Sequence, residues 1–324
     1  MKIFIPLFVI SILLLSCGNE NKEITLPAST GAINDVLVVM DDSMWKGNVG
    51  DSVRNILAAP VLGLPQEETQ FSITQVTPKT FNNLFKANRN ILFAGTDKST
   101  GFSVQQKIYA SPQVGITIIG KNKNELIAEL GKYKDSILRT FKNGDLKMYQ
   151  KRFTQNSWAT SEVETFKNLG FKIDIPQDFA KVTDTGDFLW FRKYITRSNS
   201  MNILAYTMPL QVNDTVINTI VANRNTIGEK YIPGQFEGSY MITEAAYTPF
   251  IRPTTIAGKK AYETRGKWEV KGDFMAGPFL NYTILDKENN RLIVIEGFTY
   301  APSIKKRDYM FELEAILKTI QFTN

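Results

Sequence analysis

The sequence predicts a mixed α/β and α+β protein with two sheet-plus-helix domains, the second of them mostly antiparallel. In the first half, short aliphatic runs alternate with segments of helical periodicity, as in a sheet covered by helices. In the second half, long segments of strand character follow one another across turn-forming residues. With 43% hydrophobic and 22% charged residues, the chain has enough apolar side chains to build both cores.

The first seventeen residues have the layout of a lipoprotein signal. Lys2 precedes an apolar run from Ile3 to Leu15, which Ser16 and Cys17 close. Because a membrane-spanning helix needs roughly 20 apolar residues, this shorter run indicates a cleaved secretory signal. Leu14-Leu15-Ser16-Cys17 resembles the lipobox of bacterial lipoproteins, which implies cleavage before Cys17 and lipid on its sulfur. The alternative is an ordinary signal peptide in which Cys17 is incidental.

The chain is predicted to divide into four segments. Residues 1–16 form the signal peptide, 17–32 the lipidated cysteine and a flexible tether, 33–153 an N-terminal α/β domain and 154–324 a C-terminal α+β domain. Each methylene of a buried acyl chain contributes about 0.8 kcal/mol, so two or three chains would hold the protein durably on a membrane. By resemblance to Gram-negative sorting rules, Gly18 in place of aspartate favours the outer membrane, in its periplasmic or its surface leaflet.

Composition excludes several classes of chemistry. The chain has no histidine, and Cys17 is its only cysteine. Because histidine is the commonest general base and metal ligand, Ser-His-Asp and Cys-His catalysis, His-ligated zinc and CxxC redox chemistry are all excluded. We expect no cofactor and no metal site. The net charge of +6 includes Lys2 of the signal, and an exported protein of such mild charge is not expected to bind nucleic acid.

The predicted N-terminal domain alternates strands and helices. Its strands are expected at residues 35–40, 71–76, 90–94, 104–109 and 114–119, with helices at 49–58 and 79–87. In the helix at 79–87, Phe81, Leu84 and Phe85 are predicted to share one face. A long helix begins near Asn124, and we predict that Asn143-Gly144 interrupts it before a second helical stretch over 146–153.

The predicted C-terminal domain consists mainly of strands and hairpins. After a helix at 162–169, strands are expected at residues 171–176, 188–194, 202–208, 259–270, 277–285 and 291–299. A helix spans about 214–230, with Asp214-Thr215 as its cap. A closing helix covers 304–320, and its inward-facing residues are predicted to be Met310, Leu313, Ile316, Leu317 and Ile320.

Two resemblances to known families accompany these patterns. The opening strand "FKIDIP" and closing helix "ILKTIQF" give the second half a plan similar to the PsbP/Mog1-like sandwich. The segments Pro27–Gly31, Val38–Asp42, Trp45–Gly47, Gly50-Asp51 with Arg54, Leu64–Glu68 and Arg89-Asn90 look like a family of Bacteroidetes lipoproteins classified as a domain of unknown function, family 4837. That resemblance would cover nearly the whole mature chain. It implies an envelope location and supplies no catalytic residue.

Asp41 and Asp42 are the main candidates for a functional site. They follow the predicted strand at 35–40, at the carboxyl end where open α/β sheets bind ligands. Paired carboxylates could hold Mg²⁺ or Ca²⁺ or share a proton, and Trp45 and Arg54 could grip a small polar ligand. Glu67, in a proline-marked loop, is a weaker candidate. The structural alternative is that Asp42 or Ser43 caps the next helix while Asp41 is solvated.

Two functions of different classes follow. The preferred one is a non-enzymatic envelope module that is held on the membrane through Cys17 and binds a protein, glycan or lipid partner. The alternative is a carboxylate-dependent hydrolase or metal-binding enzyme centred on Asp41 and Asp42. The enzyme requires a second charged side chain within about 4 Å of one of these carboxylates, because catalytic groups act at or near hydrogen-bond distance.

Overall fold

The computed structural model describes residues 25–210 and 216–323. The predicted signal, Cys17 and the predicted cap Asp214-Thr215 lie outside the described residues. Within them the predicted fold class is confirmed, since a sheet of five strands and a sheet of eight strands each pack against helices. None of the helices in these two ranges is long and apolar enough to span a membrane.

The five-stranded sheet is mostly parallel. Its elements, with the helices that cover it, are β1 (Asp35–Val39), α1 (Asp42–Trp45), α2 (Asn48–Leu57), β2 (Ser72–Val76), α3 (Asn83–Lys86), β3 (Asn90–Thr96), β4 (Gly101–Gln106), β5 (Val114–Gly120) and α4 (Lys123–Thr154). The strand order is β2-β1-β3-β5-β4, in which only β4 runs antiparallel to its neighbour. β2 lies on one side of β1, and β3 lies on the other. The order of the strands along the sheet therefore changes direction at β1.

The central strand β1 is buried on both faces, as its continuous aliphatic run predicts. Val36 and Val38 point into the apolar cluster that contains residues of α2 and α4. Leu37 and Val39 point into the opposite cluster, where the partly buried rings of Phe81 and Phe85 cover them. Because both faces are covered, β1 lies inside the sheet, and its carboxyl end leads directly to Asp41 and Asp42.

Helix α4 contradicts the predicted interruption at Asn143-Gly144, because it continues through both residues for 32 residues. A Cβ atom on Gly144 would lie 2.9 Å from Cγ2 of Val114 in β5. Glycine is needed here because the helix approaches the sheet closely, and its intrinsic cost of about 1 kcal/mol in a helix interior is offset by packing. Asp145 and Leu146, which follow it, are both buried.

The predicted helix at 79–87 is also wrong in extent, since only Asn83–Lys86 is helical. Phe81 and Phe85 pack on the sheet as expected. Leu84 does not share their face, because 76% of it is exposed. The segment is too short to form the two turns that would bring all three side chains to one side.

The eight-stranded sheet is antiparallel throughout. It and the surrounding elements comprise α5 (Glu164–Leu169), β6 (Phe171–Lys172), β7 (Ala180–Asp184), β8 (Phe188–Tyr194), β9 (Ser200–Pro209), α6 (Val216–Tyr231), β10 (Tyr240–Thr243), β11 (Phe250–Ile256), β12 (Lys259–Lys271), β13 (Ala276–Asp286), β14 (Arg291–Tyr300), α7 (Arg307–Leu317) and β15 (Gln321–Phe322). The order is β10-β12-β13-β14-β9-β8-β7, and β11 also pairs with β12. The predicted long strands are thus confirmed.

The two faces of this sheet carry separate apolar clusters. Leu280, Ile295 and Ile203 belong to the cluster on the α7 side, together with the inward residues predicted for the closing helix. Trp268, Phe279 and other large side chains form the cluster on the α6 side. Alternate residues of each strand therefore pack into different cores, which is the period-two pattern expected of strands.

The strictly alternating segment at 171–176 forms less sheet than predicted. Phe171, Ile173 and Ile175 are buried, so the alternation does report an inward face. Only Phe171 and Lys172 pair as β6, because the partner strand β15 is two residues long. Beyond them, the Asp174 backbone N–H donates to the Thr319 hydroxyl at 2.8 Å instead of to a strand.

Helix α7 joins the two halves of the molecule through its N-terminus. The carboxylate of Glu68, from the loop before β2, accepts hydrogen bonds from the backbone N–H groups of Lys306 at 2.7 Å and Arg307 at 3.1 Å. These are among the N–H groups that have no partner within the helix. The Arg307 guanidinium in turn donates to the Thr69 carbonyl at 3.1 Å.

We expect Glu68→Ala to lower the free energy of unfolding by about 1–3 kcal/mol, because it leaves buried N–H groups unsatisfied and removes a negative charge from a helix N-terminus. Urea unfolding measures the effect. Glu67→Ala is the matched control, since Glu67 is exposed and its loss should change stability by no more than about 0.5 kcal/mol. Equal effects of the two substitutions would contradict the assignment of Glu68 as the cap of α7.

Candidate functional site

Asp41 and Asp42 lie where the sequence predicts, directly after β1 at the carboxyl edge of the five-stranded sheet. Both are exposed. Asp41 occupies the residue before α1, but its side chain makes no capping hydrogen bond, and its carbonyl accepts from the Trp45 N–H at 2.9 Å. The carboxylate of Asp42 accepts a hydrogen bond from the Gln75 amide at 3.2 Å.

This geometry does not assemble an acid–base pair around the two aspartates. Within residues 25–210 and 216–323, neither carboxylate forms a salt bridge, and the one side-chain partner is the neutral Gln75. The same part of the chain contains no group of three or more acidic or cysteine side chains placed to hold a metal ion.

Trp45 and Arg54 are brought together, but they contact each other. The Arg54 guanidinium lies 4.5 Å from the centre of the Trp45 ring and donates to the Trp45 carbonyl at 3.0 Å. Its other end forms an ion pair with Asp51 at 2.8 Å. A Cβ atom on Gly50 would lie only 1.9 Å from the Trp45 carbonyl oxygen, so glycine is required where α1 leads into α2. These residues close the turn between α1 and α2.

Glu67 is exposed on its loop, and its neighbour Glu68 points inward to α7. The pair therefore does not act as a unit. Glu68 has a structural role at the start of α7, and a binding role for Glu67 stays a prediction. The sequence could not show that Glu67 is exposed and Glu68 buried, because both residues lie in a loop without periodicity.

A crevice lies beside the aspartates, between the α1–α2 corner and the start of α4. It has a volume of about 290 Å³. One wall consists of Ser43, Met44, Gly47, Asn48 and Val49, and the other of Lys123, Asn124 and Ile127. The first wall follows β1 and the second follows β5, so both lie at the carboxyl edge of the parallel strands. Open α/β sheets bind their ligands at the carboxyl edge.

The start of α4 is held firmly, which fixes one wall of the crevice. The Asn122 side chain accepts from the Glu125 N–H at 3.0 Å. The Glu125 carboxylate in turn accepts from the Thr100 hydroxyl at 2.9 Å and the Lys121 N–H at 3.1 Å. The hydrogen bond from Thr100, and then that from Lys121, lower the pKa of Glu125. The Glu125 carboxylate therefore stays ionised, and its hydrogen bonds to Thr100 and Lys121 hold it in place.

The crevice has a mixed apolar and polar lining. Met44, Val49 and Ile127 give it apolar surface, while Ser43, Asn48 and Asn124 supply neutral hydrogen-bonding groups. Lys123 is the one charged residue in its lining. The sequence pointed to Asp41 and Asp42 and missed these neighbours. Ligands bind beyond the carboxyl ends of parallel strands. Searching the segment after β5 for polar residues, as well as the segment after β1, could have found them.

Comparison with protein families finds two matching models. The one described as Domain of unknown function (DUF4837) matches residues 156–319, and the one described as Domain of unknown function (DUF8532) matches residues 29–154. The segments that carried the family resemblance run from Pro27 to Asn90, so they overlap the second model and not the first. Comparison with curated proteins finds no match.

Three solved structures have a low level of similarity to this chain. LpqN, involved in cell envelope biogenesis of Mycobacterium tuberculosis, is 11% identical with a TM-score of 0.31, covering 48% of this chain and 83% of its own. The Saccharomyces cerevisiae Ran-binding protein Mog1p is 7% identical with a TM-score of 0.33, covering 48% and 91%. A protein from Bacteroides thetaiotaomicron is 11% identical with a TM-score of 0.26, covering 48% and 46%. Scores this low carry no argument about function.

Proposed function

The chain belongs to the family described as Domain of unknown function (DUF4837), and from this premise we propose that it is a lipid-anchored binding module of the bacterial cell envelope. It would belong to the lipoproteins of Bacteroidetes and sit on the outer membrane. Lipid on Cys17 would hold it there, residues 17–32 would form the tether, and the domains at 33–153 and 154–324 would face a protein, glycan or lipid partner.

The observation that carries the anchor is the position of the only cysteine in the chain. Cys17 closes an apolar run of signal length, directly after the small residue Ser16. A signal of this kind directs export, and a thiol is the nucleophile that lipid attachment requires. Two or three acyl chains then give durable membrane attachment.

The crevice at the carboxyl edge of the first sheet supports the binding role. It combines apolar lining with neutral polar groups, as small-ligand and partner sites usually do. The exposed carboxylates of Asp41 and Asp42 stand beside it without a basic partner in the described residues. Binding therefore fits this edge better than hydrolysis, which needs positioned acid and base groups.

Cys17→Ser tests the anchor. In cells fed an alkyne-tagged fatty acid, we expect the native chain to incorporate label and Cys17→Ser to incorporate none and to accumulate as uncleaved precursor. Asn21→Ser is the control, since it makes a similar change in the tether and leaves residues 14–17 intact. Labelling of Cys17→Ser at the native level would refute the anchor.

Site-directed photocrosslinking in intact envelopes tests the crevice. A photoreactive residue at Ser43, in the wall of the crevice, is expected to give a discrete adduct. The same residue at Asp135, exposed on α4, is expected to give none. Equal adducts from both positions, or no adduct from Ser43, would contradict a binding role for this edge and would leave the result for Cys17 unaffected.

A further inference from the structure

The chain that follows Cys17 joins the fold at the amino edge of the first sheet. The Pro27 carbonyl accepts from the Ser111 N–H at 2.9 Å, and the Thr30 N–H donates to the Ala87 carbonyl at 2.7 Å. Ser111 precedes β5 and Ala87 precedes β3. Because β1, β3 and β5 run parallel, their starts lie at the edge opposite the crevice. The segment is therefore fixed between the starts of two neighbouring strands.

This position limits how a chain anchored at Cys17 can sit on a membrane. Pro27 follows Cys17 by ten residues, and a fully extended chain spans at most about 3.6 Å per residue, so the two residues are separated by no more than about 36 Å. A compact protein of this length has a radius of gyration of about 20 Å and therefore a diameter of roughly 50 Å. Orientations that place Pro27 on the side farthest from the membrane are excluded, because the intervening chain is too short to reach it.

Two lysines lie beside this point of entry. The Gln113 amide donates to the Lys86 carbonyl at 2.6 Å, and the Gln113 carbonyl accepts from the Lys107 N–H at 3.1 Å. Because Gln113 is only 2% exposed, it holds the two segments that carry the lysines together. The Lys86 ammonium lies 5.5 Å from the centre of the Tyr109 ring, and Lys107 is exposed. In the part of the chain that the structure describes, neither lysine forms a salt bridge.

Negative charge at this edge is already paired. Residues 81–96 and 101–120, which contain α3, β3, β4 and β5, include no aspartate or glutamate. Two acids from α4 and α7 contact Asn34 at this edge. Each of them forms an ion pair with an arginine at 2.8 Å, Asp145 with Arg89 and Asp308 with Arg307. The two lysines therefore leave a positive charge on this edge.

Leu84 adds an exposed apolar side chain to the same surface. It lies in α3, two residues before Lys86, and 76% of it is exposed. Phe81 and Phe85 pack on the sheet, so Leu84 lies on the other side of the segment. At a membrane surface, an apolar side chain enters the boundary between headgroups and acyl chains, and neighbouring lysines contact anionic headgroups. The combination of Leu84 with two lysines thus matches an anionic lipid surface.

We propose that Leu84, Lys86 and Lys107, together with the segment Pro27–Thr30, form a surface that lies against anionic lipid of the membrane that holds the anchor. This inference rests on the proposed lipid on Cys17. The anchor keeps the surface within reach of lipid, so weak contacts are sufficient to hold one orientation. In that orientation the carboxyl edge of the first sheet, with its crevice, is directed away from the membrane and toward a partner.

Spin-label accessibility on vesicles tests this orientation. Cys17 is the only cysteine, and lipid converts its thiol to a thioether, so an introduced cysteine is the only free thiol of the lipidated chain. Asn83→Cys carries a nitroxide on the proposed surface, where Asn83 is exposed. Phe274→Cys is the matched control, because Phe274 is 104% exposed in the turn between β12 and β13.

The lipidated chain is placed on vesicles of phosphatidylcholine and phosphatidylglycerol, mixed at about 3:1 to give a negative surface. We expect oxygen, which concentrates in lipid, to relax the nitroxide at residue 83 more strongly than a water-soluble nickel complex does. The reverse is expected for the nitroxide at residue 274. The protected fraction of the label at residue 83 gives the ratio of docked to undocked chains.

Lys86→Gln combined with Lys107→Gln is expected to lower this ratio about 25-fold, because each lysine near an anionic surface contributes about fivefold. Lys134→Gln combined with Lys167→Gln removes the same charge from exposed positions elsewhere and should leave the ratio unchanged. Leu84→Ser should lower the ratio about tenfold, because it removes apolar surface that would enter the lipid.

Equal access of the nickel complex to residues 83 and 274 would overturn this orientation. A protected label that neither the two lysine substitutions nor vesicles of phosphatidylcholine alone release would also overturn it. Intact-mass measurement of the native chain distinguishes this failure from failure of the anchor. An unmodified thiol at Cys17 would refute both proposals, whereas a lipidated chain with a water-accessible label at residue 83 would refute only the orientation.

Discussion

Glu296→Ala is expected to lower the free energy of unfolding by about 3–5 kcal/mol, because it leaves a buried arginine without its counter-charge. Glu296 lies in β14 and Arg224 in α6, and their side chains are 0% and 2% exposed. Arg224 donates through Nε and Nη2 to both carboxylate oxygens at 2.9 to 3.1 Å. The same guanidinium stacks 3.9 Å from the centre of the Phe279 ring.

Urea unfolding followed by tryptophan fluorescence measures this effect, since Trp190 and Trp268 lie in the apolar cluster beside α6. Glu288→Ala is the control, because the Glu288 side chain is 85% exposed and its loss should matter by less than about 0.5 kcal/mol. The double variant Arg224→Met with Glu296→Leu should be less destabilised than Glu296→Ala, because it removes both charges. A double variant as unstable as the single one would contradict this account.

Asp145→Ala is expected to have a similar effect, about 3–5 kcal/mol, in the first half of the molecule. The Asp145 side chain is 0% exposed and pairs with Arg89 at 2.8 Å. It also accepts from the Asn34 backbone N–H at 2.9 Å and from the Asn90 amide at 3.2 Å. Burial raises the pKa of Asp145, and Arg89 opposes this shift. The ionised carboxylate therefore depends on its partners to offset the free energy of desolvation.

The loss of Asp145 should also loosen the chain before β1, because Arg89 holds the carbonyls of Gly31 and Ala32 in place at 2.8 and 2.6 Å. Hydrogen exchange at Asn34 is expected to rise along with the loss of stability. Asp135→Ala, an exposed change on the same helix, is the control for both measurements. Protection of Asn34 unchanged by Asp145→Ala would count against this role.

The position of Asp41 and Asp42 at the carboxyl edge of the first sheet is predictable from sequence, because an aliphatic run followed by polar residues marks the end of a buried strand. The position of Lys123 across the crevice from Ser43 is not predictable in this way. That proximity depends on the order of the strands in the sheet, in which only β3 separates β1 from β5, and strand order is not encoded in the local pattern.

Charged residues were the least predictable part of the molecule. Asp145, Arg224 and Glu296 are all buried, although charged residues are mostly exposed in folded proteins. Each is compensated by a partner at least 50 residues away, such as Arg89 for Asp145. Glu67 and Glu68 differ in burial although they are identical and adjacent. No local rule separates them, because the difference comes from the approach of α7.

The sequence by itself determined the fold class, the long antiparallel strands, the inward face of α7 and the prediction of lipid on Cys17. These depend on local periodicity and on a linear signal, which neighbouring residues encode together. Only the tertiary structure decided that α4 passes unbroken through Gly144, that Glu68 caps α7 and that Arg224 pairs with Glu296. Packing distance and buried charge depend on residues brought together from remote parts of the chain, so they arise only when the two sheets and their helices meet.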